Sequence, residues 1–141
     1  MSAPIVPPLP SAGLALVADD DRLIRAQLGD LLRARGHQVL EASTGEEAAA
    51  AALASLDELQ VVLLDLTMPD KDGFDVLTEI REPTRARGIP IVVLTGGTAE
   101  QAQCAVALGA DEAFIKGASP EELGALLDVV LARGHVTEGA G

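Results

Sequence analysis

Hydrophobic residues in this chain fall into short continuous runs, separated by segments in which they recur at helical spacing. Leu14 to Ala18, Val61 to Leu64, Ile91 to Leu94 and Ala113 to Ile115 have the length and continuity of strands buried on both faces. His37 to Ala42 alternates with polar residues, as an edge strand does. A helix is predicted from about Asp21 to Arg35, with Ile24, Leu28, Leu31 and Leu32 on one side and Gly36 as its stop. Thr44-x-x-Glu47 is a capping box that opens an Ala-rich helix to about Leu56. Gly73 opens a short helix to about Arg81, and Thr98-x-x-Gln101 caps a fourth to about Leu108. Ser119-Pro120-Glu121-Glu122 starts a fifth, whose Leu123, Leu126, Leu127, Val130 and Leu131 form an apolar stripe. Five continuous or edge-like strands alternating with five helices predict an α/β fold, a doubly wound five-stranded parallel sheet covered on both faces. Right-handed crossovers and an edge-like second strand favour the order 2-1-3-4-5.

The ends of the chain lack this pattern. Pro4, Pro7, Pro8 and Pro10 mark residues 1–12 as a disordered Pro-rich arm, and a plain linker explains their spacing better than an SH3-type ligand. Residues 133–141 carry three glycines and read as a flexible tail, which leaves one domain over 13–132. At 48% hydrophobic and 23% charged residues this domain is globular. The net charge of −12 repels phosphate backbones and argues against nucleic acid as a partner. Two Phe and no Trp or Tyr leave little surface for stacking on bases or flavins. No run approaches the roughly 20 apolar residues of a membrane span, and no signal peptide is legible. A single cysteine, Cys104, permits no internal disulfide and suits a reducing, cytoplasmic compartment.

Candidate chemistry lies where the strands end. The first runs into Asp19-Asp20, the third into Asp65, the fourth into Thr95 and the fifth into Lys116. Open α/β sheets bind their ligands at those carboxyl ends. Each residue taken alone has a plainer explanation: Asp19-Asp20-Asp21 as a helix N-cap, Thr95 as a turn, Lys116 as a surface lysine, Asp72-Gly73 as a turn dipeptide. Together they are the parts of a site that phosphorylates an aspartate. An ionised Asp is a poor nucleophile toward phosphate because both are anionic, and a hard divalent cation resolves this. Mg²⁺ takes about six oxygens, typically one or two carboxylates plus phosphate oxygens. Asp19, Asp20 and Asp65 would supply carboxylates, Lys116 a compact positive charge, and Thr95 a hydrogen bond to a phosphoryl oxygen. Small Gly96 and Gly97 leave space for the phosphoryl group.

The segments L-V-A-D-D-D-R-L-I-R (16–25), L-L-D-L-T-M-P-D-K-D-G-F-D-V-L (63–77), I-V-V-L-T-G-G (91–97) and G-A-D-E-A-F-I-K-G (109–117) resemble the receiver domain of two-component response regulators, over about residues 14–131. The resemblance implies a flavodoxin-like (βα)5 fold of the single-domain chemotaxis-regulator kind. It makes Asp65 the phosphoacceptor, Asp20 a direct Mg²⁺ ligand, Asp19 an acid acting mostly through water, and the Thr67 carbonyl a third ligand. Thr95 becomes the switch hydroxyl and Lys116 the phosphate-pairing amine. It also implies a phosphoryl donor, either a sensor histidine kinase or a histidine phosphotransfer protein. The domain is then no enzyme beyond its own phosphorylation and dephosphorylation. Output would pass by protein contact through the face formed by helix 4, strand 5 and helix 5, including Ala102, Cys104 and Val106, in a monomer or weak dimer. No output domain is expected after the fifth helix, so the chain reads as a single-domain regulator or as a receiver cut from a longer protein.

Two positions depart from the family pattern. Ala113 stands three residues before Lys116, where Tyr or Phe is usual, and Phe114 points to the opposite face of the strand. Gly117 stands where most relatives have Pro, so the loop carrying Lys116 is expected to be trans or more mobile. These keep one rival reading in play, a pseudo-receiver that binds partners without phosphorylation. A haloacid-dehalogenase-type phosphatase wants a second acid two residues after its nucleophile, where this chain has Thr67. An EF-hand fails at Met68, which cannot ligate Ca²⁺. A flavodoxin-type electron carrier would need aromatic walls and a phosphate loop after strand one. His37 and His135 read as surface residues, neither in the helical setting of a phosphodonor.

Overall fold

The computed structural model describes residues 13–139 apart from Pro69 and Ala118, so the expected arm over 1–12 lies outside the described residues. Five strands, β1 (Leu14–Ala18), β2 (Gln38–Ala42), β3 (Leu59–Asp65), β4 (Ile91–Thr95) and β5 (Glu112–Ile115), form one parallel sheet in the order 2-1-3-4-5. Five helices alternate with them: α1 (Arg22–Arg33), α2 (Gly45–Ala54), α3 (Gly73–Ala86), α4 (Ala99–Ala107) and α5 (Pro120–Gly139). The fold class and strand order are those the apolar runs predict.

The sheet separates two cores. Leu16, Val62, Leu64 and Val93 face α2, α3 and α4 through Ala48, Ala52, Val76, Leu77, Ile80 and Ala105. Val17, Val61, Leu63 and Leu94 face α1 and α5 through Leu28, Leu32, Leu123, Leu127 and Val130. Both faces of the central strands are therefore buried, which is why their sequence is continuously apolar rather than alternating. β2 pairs only with β1 and keeps polar positions exposed, as an edge strand should. Phe114 pairs with Leu94 on β4 and packs in the α1–α5 core, while Ala113 pairs with Val93 and so belongs to the opposite face.

Local signals set most boundaries. Asp21 caps α1 by accepting from the N–H groups of Leu23 and Ile24, and Gly36 at φ 90° turns the chain out of it. α3 runs past its expected end near Arg81 to Ala86, with Pro83 inside. The hydroxyl of buried Thr84 donates to the Ile80 carbonyl at 2.8 Å, within the turn that Pro83 disturbs. α5 continues to Gly139, beyond Arg133 where a tail was expected. A glycine such as Gly134 weakens a helix by about 1 kcal/mol without necessarily ending it. His37 also differs from expectation: it is buried, only 6% exposed, because its N–H returns to the Leu32 carbonyl and folds it under the end of α1.

Candidate functional site

The register of the sheet assembles the predicted residues at one edge. Ala18 pairs with Leu64, so Asp19 and Asp65 leave adjacent strands at the same level. The backbone ladder continues past the strand ends through Asp19 N–H to Ala42 O, Leu66 N–H to Leu94 O, and Lys116 N–H to Thr95 O. Arg25 adds a second constraint, donating from Nη1 to the Asp19 carbonyl at 2.8 Å. Asp19, Asp65 and Thr95 are buried, whereas Asp20 and Thr67 are exposed at the rim.

The three acids after β1 divide their work. Asp21 is the N-cap of α1, as the plain explanation of the run would have it. Asp19 accepts the Asp21 N–H on Oδ1, which leaves Oδ2 aimed elsewhere. Asp65 likewise accepts the Thr67 N–H on Oδ1 at 3.1 Å. The two remaining oxygens, Asp19 Oδ2 and Asp65 Oδ2, are buried and take no hydrogen bond from a neutral donor; their described partner is the Lys116 ammonium. Lys116 Nζ approaches both, at 2.9 and 3.2 Å. The peptide after Lys116 is trans, as expected, and Gly117 takes φ 100°.

Burial pushes the Asp65 carboxyl up to about 6; the Thr67 N–H opposes this, the Asp19 charge adds to it and Lys116 opposes it. Burial acts to lower the Lys116 ammonium, but its bonds and charge attraction to Asp19 and Asp65 prevail and hold it above its ordinary value. The donor set suits a hard divalent cation. Carboxylate oxygens of Asp19, Asp20 and Asp65 lie within 4.8 Å of one another, and two of these acids carry buried oxygens whose described partner is the Lys116 ammonium. An open hollow of roughly 620 Å³, bordered by Asp20, Asp65, Thr67, Gly96, Gln101 and Lys116, gives access from solvent. Such an acidic pocket suits Mg²⁺ and aspartate phosphorylation.

Three contributors escaped the sequence reading. Asp70 accepts the N–H groups of Gly45 and Glu46 at 2.7 and 3.0 Å, tying the loop after β3 to the start of α2. Gly73 is more than a turn residue: a Cβ there would run into the Leu66 Cα and lie 2.7 Å from the Asp65 carbonyl oxygen. Gln101, expected to close a capping box, instead accepts a hydrogen bond from the Thr95 hydroxyl at 3.0 Å. Its spacing to Thr98 announced the cap, and Thr98 Oγ1 does accept the Gln101 N–H, but nothing in the sequence announced that the Gln101 side chain goes to Thr95.

The chain belongs to the response regulator receiver domain family, whose profile matches residues 15–128. It is therefore a receiver domain of two-component signalling. It is 37% identical over 125 residues to the transcriptional regulatory protein CpxR of Klebsiella pneumoniae, covering 87% of this chain and 51% of that protein. To the transcriptional regulatory protein GltR of Pseudomonas aeruginosa it is 35% identical, covering 87% of this chain and 50% of that one. The chain thus spans about half the length of these curated relatives. The crystal structure of a response regulator receiver domain protein from Clostridium thermocellum superposes with a TM-score of 0.79 at 28% identity, covering 89% of this chain and 98% of that one. Among the described residues no helix is long and apolar enough to cross a membrane.

Proposed function

We propose that Asp65 accepts a phosphoryl group from a phosphohistidine of a sensor histidine kinase or histidine phosphotransfer protein in the cytoplasm. The observation that carries this reading is the pair of buried oxygens, Asp19 Oδ2 and Asp65 Oδ2, held together by the Lys116 ammonium, with Asp65 and Lys116 bordering the hollow. A carboxylate oxygen of Asp65 attacks phosphorus while the P–N bond to the donor imidazole breaks, and the leaving nitrogen takes up a proton. Asp19, Asp20, Asp65 and the Thr67 carbonyl would hold Mg²⁺, which when bound offsets the charge of the incoming phosphoryl oxygens. Lys116 supplies further positive charge and Thr95 a hydrogen bond to a phosphoryl oxygen. Hydrolysis of the aspartyl phosphate at the same site is the only other chemistry assigned to the chain.

The acidic surface favours signalling by protein contact over direct nucleic-acid binding by this domain. Val106 on α4, Leu108 just after it, Ile115 on β5 and Val129 on α5 are exposed apolar residues on the face assigned to a target protein. Incubation with acetyl phosphate and Mg²⁺, scored on a phosphate-affinity gel beside Asp65→Asn, tests the reading. A shifted band that needs both Mg²⁺ and Asp65 is expected. Its absence, with a cognate kinase failing too, would leave a binding module that works without phosphorylation.

A further inference from the structure

We infer that Gln101 is a latch on the Thr95 hydroxyl, through which the state of Asp65 reaches the first turn of α4. The inference rests on the phosphoacceptor reading of Asp65. Buried Thr95 Oγ1 accepts the Gly97 N–H at 3.0 Å and donates to Gln101 Oε1 at 3.0 Å. A hydroxyl has one proton, and here it is committed to Gln101. Thr95 therefore cannot donate to a phosphoryl oxygen on Asp65 until it releases Gln101.

The released Gln101 has a second partner nearby. It occupies the third position of a helix capped by Thr98, where a Gln side chain ordinarily reaches back to the N–H of the capping residue. That half of the box is not formed: the Gln101 N–H does donate to Thr98 Oγ1, at a long 3.4 Å, but the Gln101 side chain goes to Thr95. The same amide oxygen can thus satisfy either the Thr95 hydroxyl or the Thr98 N–H. Phosphorylation draws the hydroxyl toward Asp65, Gln101 turns to Thr98, and the start of α4 tightens.

Two further features fit this device. Gly97 lies beneath the Gln101 side chain, and a Cβ there would collide with the Gln101 amide oxygen. On β5 the residues on the Thr95 face are Ala113 and Ile115, so no ring is present there to follow the hydroxyl inward. Gln101 also borders the hollow beside Asp65, which places the latch where the phosphoryl group enters.

The test is a double-mutant cycle on phosphorylation by acetyl phosphate with Mg²⁺. Gln101→Leu should speed phosphorylation about five-fold, the factor that one net hydrogen bond of about 1 kcal/mol is worth. In a Thr95→Val background Gln101→Leu should change nothing, an outcome that a merely structural role for Gln101 would not produce. In amide NMR spectra the Thr98 N–H should shift on phosphorylation of the wild type and stay in place in Gln101→Leu. A wild-type rate in Gln101→Leu, or an equal effect in the Thr95→Val background, overturns the latch alone. A wild type that takes no phosphoryl group overturns the phosphoacceptor reading, and the latch with it.

Discussion

Lys116 Nζ lies 3.2 Å from Asp65 Oδ2, although the two residues come from strands with β4 between them. Nothing local joins them; the register β3–β4–β5 does. Because Asp65 is 1% exposed and Asp19 fully buried, the ammonium is the countercharge for both acids.

Lys116→Met keeps most of the apolar stem and removes that charge. Breaking a buried pair strands the remaining charge, and the expected loss is about 3 kcal/mol in urea unfolding with EDTA present. Added Mg²⁺ should recover a large part of it, because an ion that binds only the folded state stabilises by mass action. A loss under about 0.5 kcal/mol in EDTA would mean the ammonium does not offset these acids.

Asp65 should make the metal-free protein less stable at neutral than at mildly acid pH. Its carboxyl is raised from 3.8 to about 6 by burial, so the folded state binds the proton more tightly than the unfolded chain does. The contribution is fully present below about 3.8 and is lost as pH rises through about 6. Asp65→Asn should therefore stabilise the metal-free protein at pH 7 by on the order of 1–3 kcal/mol, and show no such loss between pH 4 and 7. Parallel pH profiles of wild type and variant would contradict this.

His37 works in the opposite sense. Burial lowers its pKa, with the Leu32 carbonyl opposing and the Arg35 charge assisting. Its stabilising contribution holds above pH 6.5 and is lost as pH falls through the depressed folded value. Urea midpoints of His37→Gln should fall less steeply than those of the wild type as pH drops below 6.5. An unchanged slope would show that the imidazole stays neutral, or equally charged, in both states.

Gly73→Ala tests the packing behind the site. The added methyl meets backbone at Leu66 and Asp65, which cannot move aside as a flexible side chain could. A destabilisation of about 1–3 kcal/mol is expected, together with slower phosphorylation of Asp65 as its loop is displaced. For stability Gly96→Ala is the control, since a Cβ there meets nothing within 4 Å. Equal losses of stability in the two variants would sink the argument from close approach.

The sequence by itself determined the strands, their order and the acids at their ends. Burial on both faces demands unbroken apolar runs, and a parallel sheet gathers the residues that end those runs along one edge. Side-chain capping by Asp21, Thr44 and Ser119 is equally local and equally legible. Tertiary structure decided what depends on distant partners. Asp70 bonds the start of α2, 25 residues upstream, and no periodicity announces that pairing. His37 has the polarity of a surface residue yet is folded beneath the end of α1. Gln101 had two possible acceptor roles at the same spacing, and only the approach of β4 to α4 gave it to Thr95. Local pattern fixes which face a residue occupies, whereas a hydrogen bond needs atoms within about 3 Å. That distance is set only when the elements pack.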